Sequence, residues 1–182
     1  STPNFGYFET ETVTINIADS TGNATTYSYS FETRDDTHAP TLLPVRPLDS
    51  STQASHNTTI VFRITDTESG ITTESIRCTV NGVERTASCS ISGTITAYLV
   101  TISSMEYGYL QTVHVTASAS DKRNNSAEVT WSFTTGQDSE SPVIFGQFPA
   151  PFSVGASQTG PISFSIADHG TGVSRDTVTI SV

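Results

Sequence analysis

The chain has 182 residues and carries 8 Lys+Arg against 18 Asp+Glu, a formal charge of −10 at pH 7. With one lysine, Lys122, it offers no basic patch for phosphates, which argues against nucleic acid and anionic membrane surfaces as partners. No apolar run approaches the roughly 20 residues that a membrane-crossing helix needs, and no signal-peptide pattern is present, so any export signal is expected outside this segment.

Val and Ile number 27 against five Leu, and Ser plus Thr make up 57 of the 182 residues. β-Branched side chains are stiff at χ1 and suit a pleated surface, so the composition points to strands and away from a helical or α/β enzyme. The strands read in order. Thr41–Pro47 is a first strand with Pro at its limits, which suits an edge. Thr59–Thr65 alternates, with Ile60, Phe62 and Ile64 inward. Glu74–Val80 and Val83–Ala87 flank Asn81-Gly82, a pair suited to a hairpin turn whose two positions both need positive φ. Thr94–Ser103 follows, then Leu110–Ser120 with Val113, Val115, Ala117 and Ala119 on one face. Ala127–Thr135 closes the set with Val129, Trp131 and Phe133 inward. About seven strands in about 100 residues is the size and pattern of an immunoglobulin-like β-sandwich, and no segment has helical periodicity.

Sliding the chain against itself by 102 positions aligns residues 1–80 with 103–182 without a gap, and 23 of the 80 pairs are identical. Asp19 falls on Asp121, Asn23 on Asn125, Phe31 on Phe133, Asp36 on Asp138, Phe62 on Phe164, Asp66 on Asp168 and Gly70 on Gly172. The expectation is a tandem array with a 102-residue period: residues 1–35 as the last strands of one unit, 36–137 as a complete unit, and 138–182 as the start of a third. The end pieces hold too few strands to close a core, which suggests an excerpt from a longer chain.

The segments VTASASDKRNNS…WSFTTGQDSESP and IVFRITDTESGITTESIRCTVNGV resemble the bacterial-type immunoglobulin-like repeats of large cell-surface adhesins and biofilm-associated proteins. Those repeats carry an Asp-x-x-Gly-Asn turn, an aromatic strand and an Asp-x-x-x-Pro linker. Asp19–Asn23 matches the turn, while in Asp121–Asn125 the Gly is replaced by Asn124, which tolerates the left-handed conformation. The resemblance implies an extracellular stalk.

In an immunoglobulin-like topology the incoming linker, the loop after the second strand and the last hairpin turn share one pole. That pole would gather Asp35, Asp36, Asp66, Glu68, Asp121 and Asn125, and the next junction Asp138, Glu140 and Asp168. Crowded carboxylates resist ionising unless a cation lies between them, and Ca²⁺ takes 6–8 hard oxygens. In the resembling adhesins interdomain Ca²⁺ stiffens the array, which implies a metal role for Asp36, Asp66, Glu68, Asp121, Asn125, Asp138 and Asp168. The alternative is that Asp and Asn are simply favoured turn residues.

Cys78 and Cys89 flank the Asn81-Gly82 hairpin. A strict two-residue hairpin sets Cys78 opposite Arg85, so a disulfide, the expected state of two cysteines in a secreted chain, needs a bend near Thr86–Ser88. The alternative is a buried thiol, as Ile180 occupies the position equivalent to Cys78 in the next repeat. Asn23, Asn57 and Asn124 head glycosylation sequons in expected turns or loops. His38, His56, His114 and His169 read as solvated surface residues, and no nucleophile–base set or phosphate loop is present, so no enzyme is expected. Tyr107-Gly108-Tyr109 reads as a tyrosine corner pinning its loop, or else as a sugar-stacking platform.

The expected function is a non-enzymatic repeat segment of an extracellular stalk, surface adhesin or fibre that spaces and presents distal modules. Its partners are neighbouring repeats, other copies in a fibre, or a host or matrix ligand, with Ca²⁺ at the junctions as the one cofactor. The alternatives are a subunit of a self-assembling, glycosylated extracellular filament and a glycan- or protein-binding module.

Overall fold

A computed structural model describes residues 3–182. Strands β1 (Thr10–Ala18) and β2 (Ala24–Glu32) form an antiparallel hairpin. Beyond a linker come β3 (Thr41–Arg46), β4 (Ile60–Thr65), β5 (Ile71–Val80), β6 (Val83–Glu84), β7 (Cys89–Thr94), β8 (Ala97–Ile102), β9 (Thr112–Asp121) and β10 (Ser126–Thr134). These eight make two four-stranded sheets, in the orders β3-β4-β8-β7 and β10-β9-β5-β6. A second linker leads to β11 (Val143–Phe148) and β12 (Ser163–Ala167), which pair antiparallel.

The alternating side chains account for the core. Ile60, Phe62 and Ile64 on β4 face Val113, Val115, Ala117 and Ala119 on β9 across the sandwich, and all are buried. Phe62 meets Trp131 of β10 edge-on with ring centroids 5.9 Å apart, which joins the two sheets at the centre. Burying a side chain of this size contributes about 1.5–3 kcal/mol. The abundant Ser and Thr line the solvent faces, where they bond across strands: Thr12 to Ser30 and Thr14 to Ser28 on β1–β2, and Ser120 to Ser126 on β9–β10. After a register shift between Pro44 and Arg46, the chain leaves β3 and bonds along β10, with the Ser50 N–H donating to the Ser132 carbonyl and the Thr134 N–H to that of Ser51.

Three sequence readings are corrected. The expected strand Thr94–Ser103 is β8, and a strand not read from the sequence, β7, precedes it and pairs with it across a turn at Ile95-Thr96, so the central unit has eight strands instead of about seven. Gly93, at φ +134°, makes that hairpin fit, because a Cβ there would run into the Ala97 carbonyl. The strand expected from Glu74 starts at Ile71 and carries a register shift between Thr72 and Arg77. The strand expected over Val83–Ala87 lasts two residues and gives way to a 3₁₀ turn at Thr86–Ser88, the bend needed to bring Cys89 back.

The two end hairpins lack a facing sheet among the described residues. Tyr29 and Phe31 on β2 are 45% and 37% exposed, whereas Trp131 and Phe133, 102 residues later, are 3% and 1%. On β11, Val143, Ile144, Phe145 and Phe148 are exposed as well.

Candidate metal centre at the first junction

Three chain segments converge at one pole of the central unit. Asp36 comes from the linker between β2 and β3, Asp66 follows β4, and Asp121 ends β9. All three are buried, and carboxylate oxygens of the three lie within 4.8 Å of one another.

Each carboxylate first organises its own loop. Asp36 accepts the His38 N–H at 2.9 Å and the Ser69 N–H at 2.9 Å, which ties the linker to the β4–β5 loop. Asp66 Oδ1 accepts the N–H groups of Glu68 and Gly70 at 3.0 and 2.9 Å. Asp121 Oδ1 accepts those of Arg123 and Asn125 at 2.8 Å each. The Asn125 amide then donates to Asp121 Oδ2 at 2.6 Å and to the Asp36 carbonyl at 3.0 Å, fastening the β9–β10 turn to the linker. Burial alone would push the Asp36 carboxyl up, but hydrogen bonds from Ser69 and His38 hold it well below the usual carboxylate range.

The guanidiniums near this pole are engaged elsewhere. Arg34 pairs with Glu68 at 3.0 Å and lies over the Tyr7 ring, and Arg123 pairs with Asp35 at 2.7 Å and lies 4.5 Å from the Phe8 ring centroid. Each arginine thus reaches from the junction onto an aromatic side chain of the segment before β1. Among the described residues no Lys or Arg side chain pairs with the triad, and like charges this close repel. Asp66 Oδ2 accepts no hydrogen bond among the described residues, although Asp66 is 6% exposed. Carboxylate oxygens from three side chains gathered this closely are the hard-oxygen chemistry that Ca²⁺ takes, so Asp36, Asp66 and Asp121 fit that ion.

The seven residues expected to bind metal separate into groups. Asp36, Asp66 and Asp121 come together. Glu68 lies outside that triad, in a second group with Asp36 and His38, and its carboxylate holds Arg34 and the His38 ring. Asn125 turns its amide nitrogen to the cluster and donates. Asp138 and Asp168 repeat the loop bonds: Asp138 accepts the N–H groups of Glu140 and Thr171, and Asp168 those of Gly170 and Gly172. No third ligating side chain joins those two among the described residues. The turn bonds recur in the same way, with Asn23 donating to both oxygens of Asp19 as Asn125 does to Asp121.

Of the other expected residues, Cys78 and Cys89 are unbonded thiols with Sγ atoms 2.9 Å apart. Asn23, Asn57 and Asn124 are exposed; the Asn23 side-chain nitrogen is engaged by Asp19 and Thr21, and the Asn57 side-chain oxygen accepts from Ser55. Tyr107 is a core residue against Phe133, but its hydroxyl is buried without a partner among the described residues, where it does not form the hydrogen bond of a tyrosine corner. The arginine–aromatic contacts were not read from the sequence; the only signal was an arginine beside acids in each junction loop.

The strand order defines the class: the first, second, sixth and fifth strands of the central unit form one sheet and the eighth, seventh, third and fourth the other, the arrangement of an immunoglobulin-like β-sandwich with a short added edge strand. No family model matches the chain, and no curated protein matches it in sequence. Solved structures similar to it include dimeric latent PorU from Porphyromonas gingivalis (TM-score 0.42, 15% identity, 77% of this chain and 15% of that one). Others are the extracellular cadherin domains 1–4 of protocadherin gamma B7 (0.36, 18%, 70% and 32%) and the titin domains z1z2 in complex with telethonin (0.38, 14%, 71% and 62%). The chain spans less than two thirds of each of these structures.

Proposed function

We propose that this chain is a non-enzymatic segment of an extracellular or cell-surface stalk, adhesin or fibre, in which immunoglobulin-like units follow one another and space distal modules. The carrying observation is the first junction: the linker is laid against the pole of the central unit by Asp36, its carbonyl is held by Asn125, and Arg34 and Arg123 brace its two sides. A spacer needs junctions that resist bending, and a linker bonded at several points resists it where a free coil would not. The recurrence of the same turn and linker bonds at positions 102 apart supports an array. In this reading Ca²⁺ is held by Asp36, Asp66 and Asp121, where it offsets two of the three negative charges and ties linker, loop and turn together.

Small-angle X-ray scattering of the chain in Ca²⁺ and in EGTA tests the spacer. The expected profile is that of an elongated, stiff particle; a profile of units tumbling independently in both conditions would overturn it. A second reading, a self-assembling filament subunit, is favoured by the exposed apolar rows on β2 and β11. Sedimentation that changes with concentration would select it.

A further inference from the structure

We propose that Cys78 and Cys89 are an oxidisable pair that closes into a disulfide joining the two sheets of the central unit. Cys78 lies on β5 in one sheet and Cys89 begins β7 in the other. Between them the chain leaves β5, turns at Asn81-Gly82, and is folded back by the 3₁₀ turn at Thr86–Ser88. That fold-back is held independently of the sulfurs: the Cys78 N–H donates to Thr86 Oγ1 at 2.9 Å, and the Arg85 N–H to the Cys78 carbonyl at 2.8 Å. The local backbone therefore delivers the two thiols to one place, with Sγ atoms 2.9 Å apart.

The two sulfurs differ in access, which sets the order of steps. Cys78 is 1% exposed, while Cys89 is half-buried and reachable by a small oxidant. With a small-molecule disulfide such as oxidised glutathione, the Cys89 thiol loses its proton and its thiolate attacks one sulfur, forming a mixed disulfide and expelling one small thiol. The Cys78 thiolate then attacks Cys89 Sγ and expels the second. In sum, two protein thiols and one small disulfide give one protein disulfide and two small thiols. The Cys78 thiol suits the second step by position, since its Sγ lies 2.9 Å from that of Cys89.

The consequence is mechanical. The cysteines are 11 positions apart, so the closed bond takes the chain between them out of any extension of the unfolded unit. At about 3.6 Å per residue, less the roughly 5.5 Å that the bridge itself spans, the unit releases about 35 Å less length. The staple belongs to this unit, since Ile180 stands in place of Cys78 one repeat on. The inference does not depend on the stalk or calcium reading.

The test treats the folded chain with oxidised glutathione, quenches with acid, unfolds it and alkylates. The expected product is lighter by two hydrogens and takes no label until a reductant is added, when both cysteines are labelled. Two labelled thiols without reductant, or a lasting glutathione adduct on Cys89, would overturn the proposal. Single-molecule stretching supplies a second reading that does not rely on chemical labelling. The release from the central unit should lengthen by about 35 Å on reduction and be insensitive to redox state in Cys89→Ser; equal lengths before and after reduction would overturn it.

Discussion

Replacing Asp36 with Ala separates the metal account from simple turn chemistry. The change leaves the N–H groups of His38 and Ser69 without their acceptor, and each bond to a buried carboxylate contributes about 1.5–3 kcal/mol. It also removes the like-charge repulsion with Asp66 and Asp121, which offsets part of that loss. The low Asp36 pKa says that the hydrogen bonds outweigh the repulsion, so in EGTA the variant should lose about 1–3 kcal/mol. In Ca²⁺ at 100 times its Kd the wild-type chain gains about 2.7 kcal/mol of linkage, which already contains the relief of the repulsion and which the variant lacks. Urea unfolding followed by the fluorescence of Trp131, the single tryptophan and a core residue, reads both conditions in the central unit. The expected loss is about 2.7 kcal/mol larger in Ca²⁺ at 100 times its Kd than in EGTA. Equal losses in the two would refute the metal and leave the cluster as hydrogen-bonded turns.

Three further outcomes follow from the packing and the charges. Tyr107→Phe removes a buried hydroxyl that has no partner, so the variant should gain about 1 kcal/mol by urea unfolding; a loss would mean that the hydroxyl is bonded in solution. Phe62→Ala should cost about 3–5 kcal/mol, and Phe164→Ala, its less buried counterpart on β12, clearly less; equal costs in thermal unfolding would contradict the packing described. The Asp36 carboxyl titrates below its unfolded value of about 3.9, so the unfolded chain binds the proton first. Its contribution is complete above that pH and fades as the pH falls below it. Unfolding midpoints between pH 5 and pH 2.5 should therefore decline more steeply in the wild type than in Asp36→Ala, and parallel curves would argue against the shift.

The strands that alternate between a packed and a wet face were legible in the sequence, as β4, β9 and β10 show with inward residues at every second position. The β7–β8 hairpin was not. Its turn, Ile95-Thr96, has neither Gly nor Asn, and the Ser-rich β7 lies exposed at a sheet edge without an apolar rhythm. Convergence of Asp36, Asp66 and Asp121 was legible because topology alone places their three loops at one pole. The exclusion of Glu68 from that triad, and the direction in which Asn125 presents its amide, depend on side-chain partners that no spacing encodes. The contacts of Arg34 with Tyr7 and of Arg123 with Phe8 arise only when the preceding hairpin is seated on the junction, so their residues carry no local pattern.

The central claim is that the first junction is stiff, and a distance distribution across it is the most direct measurement. Spin labels at Ser28 on β2 and Thr130 on β10, both exposed, report the separation of the two segments by pulsed dipolar spectroscopy. The account predicts one narrow distribution in Ca²⁺, broadened by EGTA and by Asp36→Ala. A broad distribution in the wild-type chain with Ca²⁺ bound would contradict it.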